Sequence, residues 1–320
     1  MKPPGAALAG TLGYLTACVL FGLNLPLSAE LLRHFDPFWL SPLRYVVSAL
    51  LLGGLLLASA GRHALHSPVP LWRIALLSLA VAGFLVLYNV GLYRTDPMTV
   101  AALSAGSPVY VALVSRLMTG ARLERGFWGA TALTLLGAAI AIGGRARAAG
   151  VQGLAFNGGE LLVVLGICSW TVYSILAQRW FDAGTPQLRR TFLTTLGALP
   201  WLLLFWAAAR LAGLAGPPNL QPGPTPLLQL LVAAAFCTGL ATVAWNIGVN
   251  RLGIQVGGLW QNTVPVFAVL IALLVFGVQP LPEQLLGGAL VLAGVLYMQW
   301  QRLRHVVAAD GPVQPRPPHE

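Results

Sequence analysis

Residues 260–263 read Trp-Gln-Asn-Thr inside an otherwise apolar stretch, and Pro265 follows. Side-chain amides both donate and accept hydrogen bonds, and an indole adds a π face and one N–H. In an apolar run that combination suits recognition of a small solute better than bond-making. Gln261 and Pro265 share a helix face at i, i+4, and Ser104 and Pro108 repeat the spacing earlier in the chain. Proline brings no N–H and frees the carbonyl four residues before it. In an apolar medium that carbonyl needs another partner, often in a cavity. Pro108 and Pro265 are therefore expected to mark kinks beside a binding site. A fixed bend for packing explains the prolines equally well, but explains Gln261 and Asn262 less well.

Other polar and aromatic residues fall at similar depth in apolar runs: Asn24, Asn89 and Asn246, with Tyr88, Trp170, Tyr173, Trp245 and Trp260. The asparagines suit either solute hydrogen bonding or bonds between helices. The aromatics suit either helix packing or an apolar cavity for amphipathic solutes and cations. Asp and Glu total only 9. Glu30 and Glu160 are the carboxylates nearest a pathway and the candidates for ion coupling, or else plain helix-end charges. Arg44 is open to three readings: snorkelling to headgroups, pairing with Glu30, or meeting an anionic solute. Cys18, Cys168 and Cys237 are far apart, and the 5 histidines lie in links or the tail. No catalytic triad, HExxH, Walker loop or metal-ligand spacing appears. Enzyme chemistry, a cofactor and a metal are not expected.

These residues need elements that can hold them in lipid. The chain has 320 residues, 57% hydrophobic and 9% charged; soluble chains carry about 25% charged residues. The net charge of +10 forms no basic, aromatic-interleaved face, so nucleic acid is not an expected partner. A hydrocarbon core of ~30 Å takes ~20 helical residues. Ten runs meet that length: 7–27, 38–58, 71–93, 98–119, 126–143, 160–180, 190–213, 227–250, 255–277 and 284–301. With the N-terminus inside, the cytoplasmic side receives thirteen of the 19 Lys and Arg, so both termini are expected in the cytoplasm. Residues 303–320, rich in proline, read as a disordered cytoplasmic tail.

The chain also repeats. Residues 88–94, YNVGLYR, return as residues 245–251, WNIGVNR, after a shift of 157. The register continues through Pro108/Pro265, Gly120/Gly277 and Gly137/Gly294. Hydrophobicity does not explain Asn, Arg and Pro recurring together. Five spans per copy is an odd number, so the copies insert with opposite orientation. Inverted repeats are a construction of secondary transporters.

At these residues the chain resembles the EamA-type members of the drug/metabolite transporter superfamily. The resemblance rests on LFGLNLPL, SPLRYVVSALLL, YNVGLYRTDP and GATALTLLGAAI in the first half. In the second half it rests on ICSWTVYSIL, AWNIGVNRLG and GGALVLAGVLYM. It covers about residues 9–302. In that family a Gly-Glu pair usually closes spans 4 and 9; here Ala121 follows Gly120 and Val278 follows Gly277. The resemblance implies an all-α integral membrane protein of ten helices in two inverted five-helix repeats, residues 7–143 and 160–302. It implies a multi-pass protein of the cell (inner) membrane that carries small metabolites, amino acids or drugs, often outward, by alternating access. A passive facilitator or channel is the alternative, and a membrane-embedded enzyme a more distant one.

Overall fold

The computed structural model describes residues 4–120, 123, 126–148, 150, 157–182, 184–252, 260–261 and 263–309. Its regular elements, among the described residues, are all helical. In chain order they are α1 (Pro4–Leu31), α2 (Pro37–Ala60), a 3₁₀ turn (Arg62–Leu65), α3 (Leu71–Arg94), α4 (Pro97–Ala105), α5 (Ser107–Thr119), α6 (Phe127–Ala148), α7 (Gly159–Trp180), α8 (Gln187–Leu211), α9 (Pro224–Ala234), a π-helical segment (Ala235–Leu240), α10 (Ala241–Leu252), α11 (Val264–Leu274) and α12 (Pro282–Ala309).

Local chemistry sets several of these boundaries. An Asp-Pro pair opens α2 and again α4. Asp36 accepts from the N–H groups of Phe38 at 2.9 Å and Trp39 at 3.2 Å. Asp96 accepts from Met98 and Thr99, each at 3.0 Å. In both, the carboxylate satisfies orphan donors of the first turn, and proline sits where its missing N–H costs nothing. Gly120 closes α5 with φ 69°, and Gly277 follows α11 with φ 64°. These repeat mates need the left-handed backbone that glycine adopts without strain.

Seven described helices are long and apolar enough to cross a membrane; α4 and α5 together make an eighth if their 52° bend lies within one span. Shorter apolar helices cover Val264–Leu274 and Pro282–Tyr297. Their outer faces carry bare leucines, among them Leu50 at 72% and Leu117 at 78% exposure. Water would penalise such surfaces and lipid does not. The chain is a multi-pass membrane protein.

Three helices end well beyond the last residue expected from the sequence. Helix α1 runs through Pro26 to Leu31 without a break. Helix α6 continues past residue 143 to Ala148. Helix α12 continues to Ala309, into the stretch expected to be tail.

Glycines let helices approach closely. A Cβ on Gly137 of α6 would strike the Gly287 carbonyl of α12, and one on Gly287 would strike that of Gly137. Gly144 faces Glu283, and Gly129 faces Tyr297, so α6 and α12 run antiparallel. Arg147 of α6 completes the seam with an ion pair to Glu283 at 3.0 Å. Antiparallel α3 and α7 meet at Gly91, whose Cβ would lie 2.7 Å from the Gly159 carbonyl and from Val163 Cγ2. Helices α1 and α10 meet through Gly13 and Gly248. One end of the bundle gathers Asp36, Asp96 and Gln284: Asp36 accepts from Gly216 N–H at 2.8 Å, and Gln284 donates to Asp96 at 2.9 Å. At the opposite end Arg189 donates to the His66 carbonyl at 2.7 Å and Trp72 packs on Trp180 at 5.5 Å.

Candidate solute-binding site

One face of α1 organises the interior. Tyr14, Cys18, Phe21, Asn24 and Ser28 follow one another three or four residues apart, so their side chains stack along a single stripe. The upper part of the stripe is aromatic. Tyr14 meets Trp245 of α10 edge-on at 5.0 Å between ring centroids and stacks on Trp260 at 6.5 Å and 22°. Phe21 lies 6.2 Å from Trp245. Trp260 and Gln261 are helical ahead of α11. The Trp260 carbonyl accepts from Cys18 Sγ at 3.3 Å, Thr263 N–H at 2.9 Å and Thr263 Oγ1 at 2.7 Å.

The lower part of the stripe is polar. Arg44 of α2 donates to Ser28 Oγ at 3.1 Å and to Asn24 Oδ1, and reaches Thr238 Oγ1 at 3.5 Å. Thr238 stands on the π-helical segment between α9 and α10. A π turn adds a residue to the local winding and redirects side chains, and such turns are frequent at functional sites.

A second aromatic group lies across α3 and α7. Phe84 sits 5.3 Å from Tyr88 and 5.2 Å from Trp170, which in turn sits 4.9 Å from Tyr173. Tyr88 Oη and Ser104 Oγ of α4 are 3.3 Å apart. The break between α4 and α5 falls at Gly106. Pro108 occupies the first turn of α5, as Pro265 does in α11. Each proline thus starts a new helix where a kink within one helix was expected.

The sequence-derived candidates divide accordingly. Asn24, Trp245 and Trp260 converge on the α1 stripe, and Tyr88 and Ser104 bond to each other. Asn89 is buried and donates to Ser41 Oγ of α2 at 2.9 Å, a bond between helices. Asn246 is half-buried in α10, Gln261 is exposed, and Asn262 lies outside the described residues. Trp170 is 41% exposed, whereas Tyr173 is buried with Phe181 and Phe192 in an apolar cluster. Glu30 pairs with Arg33 at 3.1 Å, not with Arg44. Glu160, buried in the first turn of α7, accepts from Asn157 N–H at 3.2 Å. Arg44 is 8% exposed, so it does not snorkel. Sequence reading missed Thr238 and the donor role of Cys18. The segment AFCTGL carries no pattern that announces a π turn, and Cys18 reads as an ordinary small buried residue.

A cleft of about 570 Å³ opens at the Asp36 end, lined in part by Glu30, Arg33, Tyr93, Asp96 and Val278. Lipid-length helices that gather rings, amides, hydroxyls and a buried cation inside the bundle define a membrane protein of the solute-carrying class. The EamA-like transporter family matches residues 8–143 and 157–300, and the chain belongs to that family. It is 22% identical to the aromatic amino acid exporter YddG of Ancylobacter novellus over 89% of this chain and 95% of that one. It is 28% identical to a probable terminal-alkyne amino-acid exporter of Streptantibioticus cattleyicolor, over 70% of this chain and 71% of the relative. A solved crystal structure described only as that of a protein superposes with TM-score 0.64 at 21% identity, covering 96% of this chain and 100% of the other. Family and relatives point to transport rather than catalysis.

Proposed function

We propose that the chain is a secondary transporter, working as an exporter of small amino-acid-like metabolites or drugs across a bacterial inner membrane. Ten spans form two inverted five-helix halves, which alternate between opening inward and outward about a shared interior site, with both termini cytoplasmic. The observation that carries this reading is the pairing of helix contacts between the two repeats. Gly137 of α6 packs on Gly287, and Gly294 of α12 packs on Ala130; each contact is the other's image. Gly91 of α3 packs on α7, and its mate Gly248 of α10 packs on Tyr14 of α1. Two equivalent interfaces of this kind permit rocking without loss of packing. The two exporter relatives favour an amino-acid-like solute and outward movement.

In this reading Asn24, Trp245 and Trp260 hold the solute on the second-half side, and Tyr88 and Ser104 on the first-half side. Glu30, paired with Arg33, and Glu160, at the start of α7, are the candidates for ion coupling. Purified protein in liposomes should show saturable counterflow of labelled against unlabelled solute. Trp245→Ala should raise the half-saturating concentration about ten-fold through loss of its ring contacts, with folded yield unchanged. Flux without exchange would indicate a passive facilitator, and wild-type saturation in Trp245→Ala would remove the site.

A further inference from the structure

We infer that Arg44 is the binding group for a carboxylate on the solute, which makes the substrate class small carboxylates with an apolar or aromatic body. The inference rests on the transport reading above and names its substrate. Arg44 lies seven residues into α2, roughly 10 Å along the axis from the helix start, and is 8% exposed. A guanidinium at that depth keeps its charge and is costly to bury without an opposite one. No carboxylate is within ion-pairing distance of it among the described residues. The described acidic groups at that end are engaged elsewhere: Glu30 with Arg33 and His34, Asp36 with the N–H groups of Phe38, Trp39 and Gly216, Asp96 with Met98, Thr99 and Gln284, Glu160 with the Asn157 N–H, and Glu283 with Arg147.

The three groups that do touch Arg44 are neutral acceptors on two elements: Asn24 and Ser28 on α1, and Thr238 on the π-helical segment. They fix the direction of the fork and leave its charge uncancelled. A guanidinium has five N–H donors. Nε is buried with no partner, and one Nη1 hydrogen is also unclaimed among the described residues. An oriented, uncompensated cation with spare donors is what a carboxylate binds. The stripe beside the fork has the aromatic character that the body of such a solute would contact. Phe21 precedes Asn24 by one helix turn on the same stripe, and beyond it lie Trp245 and Trp260. A purely structural arginine tying α1, α2 and the π turn together would not discriminate between a carboxylate and its amide.

The test is counterflow by the full chain in liposomes with L-phenylalanine, L-phenylalaninamide and phenethylamine, whose rings match and of which only the first carries a carboxylate. Wild-type protein should prefer phenylalanine over both analogues by roughly ten- to a hundred-fold, the range of one hydrogen-bonded charge. Arg44→Gln should abolish that preference, and Arg44→Lys should retain it with weaker binding. If Arg44→Gln does not fold, Arg44→Lys and Thr238→Val carry the comparison, the latter expected to weaken phenylalanine binding more than amide binding. Equal transport of acid and amide by wild type, or an unchanged preference in a folded Arg44→Gln variant, overturns the inference and leaves the carrier reading intact. Absence of counterflow for all three compounds, and for a wider panel of amino acids, amines and neutral aromatics, would sink the carrier reading itself.

Discussion

Asn89 and Asn246 occupy the same place in the two repeats, and Asn89 has a defined partner across a helix boundary, Ser41 of α2 at 2.9 Å. Both groups of that bond are buried. Asn89→Ala should therefore cost about 1 kcal/mol of stability, the scale of one hydrogen bond between membrane helices, and leave solute affinity as it was. Thermal unfolding in detergent, run as a cycle with Ser41→Ala, checks this: the double variant should cost less than the two single losses added. Additive losses would mean that the bond contributes nothing. At this scale the sequence located the polar residues by their cost in lipid. It did not decide their direction, because Asn in a span serves a neighbour or a ligand equally well. Arg44 illustrates the same limit. Its depth in α2 was legible, but its turn inward toward Asn24 depends on where α1 and the π segment pack, and that is a tertiary fact.

Helices were legible wherever hydropathy and capping agreed. The Asp-Pro pairs at 36–37 and 96–97 start α2 and α4, and Gly120 and Gly277 take the left-handed turn at matching positions. Hydropathy was blind to breaks. Proline marked them inexactly: α1 absorbs Pro26, and the bend between α4 and α5 falls two residues ahead of Pro108. The close seams between helices are the element-scale feature most open to test. A Cβ at Gly137 would drive into the backbone of α12, and one at Gly294 would lie 3.0 Å from the Ala130 carbonyl of α6. Gly137→Val and Gly294→Val should each destabilise by about 1–3 kcal/mol through overpacking, seen as lower folded yield and earlier unfolding. At Gly54 a Cβ would meet nothing within 4 Å, so Gly54→Val serves as the control and should carry no packing penalty. A silent pair of seam variants would mean that α6 and α12 do not pack as described.

At the scale of the whole molecule, the repeat was readable because residues of several kinds recur after 157 positions, polar ones among them. Its orientation rested on counting spans and charges. The structure adds contacts that bear on it directly. Arg94, at the end of α3, has its Cβ 2.9 Å from where a Gly159 side chain would begin. Its mate Arg251, at the end of α10, has its Cβ 2.8 Å from the corresponding point at Gly10, near the start of α1. Helix α1 ends beside the Asp36 cluster, so the mates stand at opposite ends of the bundle. Single replacements Arg94→Cys and Arg251→Cys, treated with a membrane-impermeant thiol reagent in intact cells, test this most directly, with the wild type as background for the three native cysteines. Arg94→Cys should label from outside, and Arg251→Cys only after the membrane is opened; labelling of both from the same side would contradict two inverted halves around one interior site.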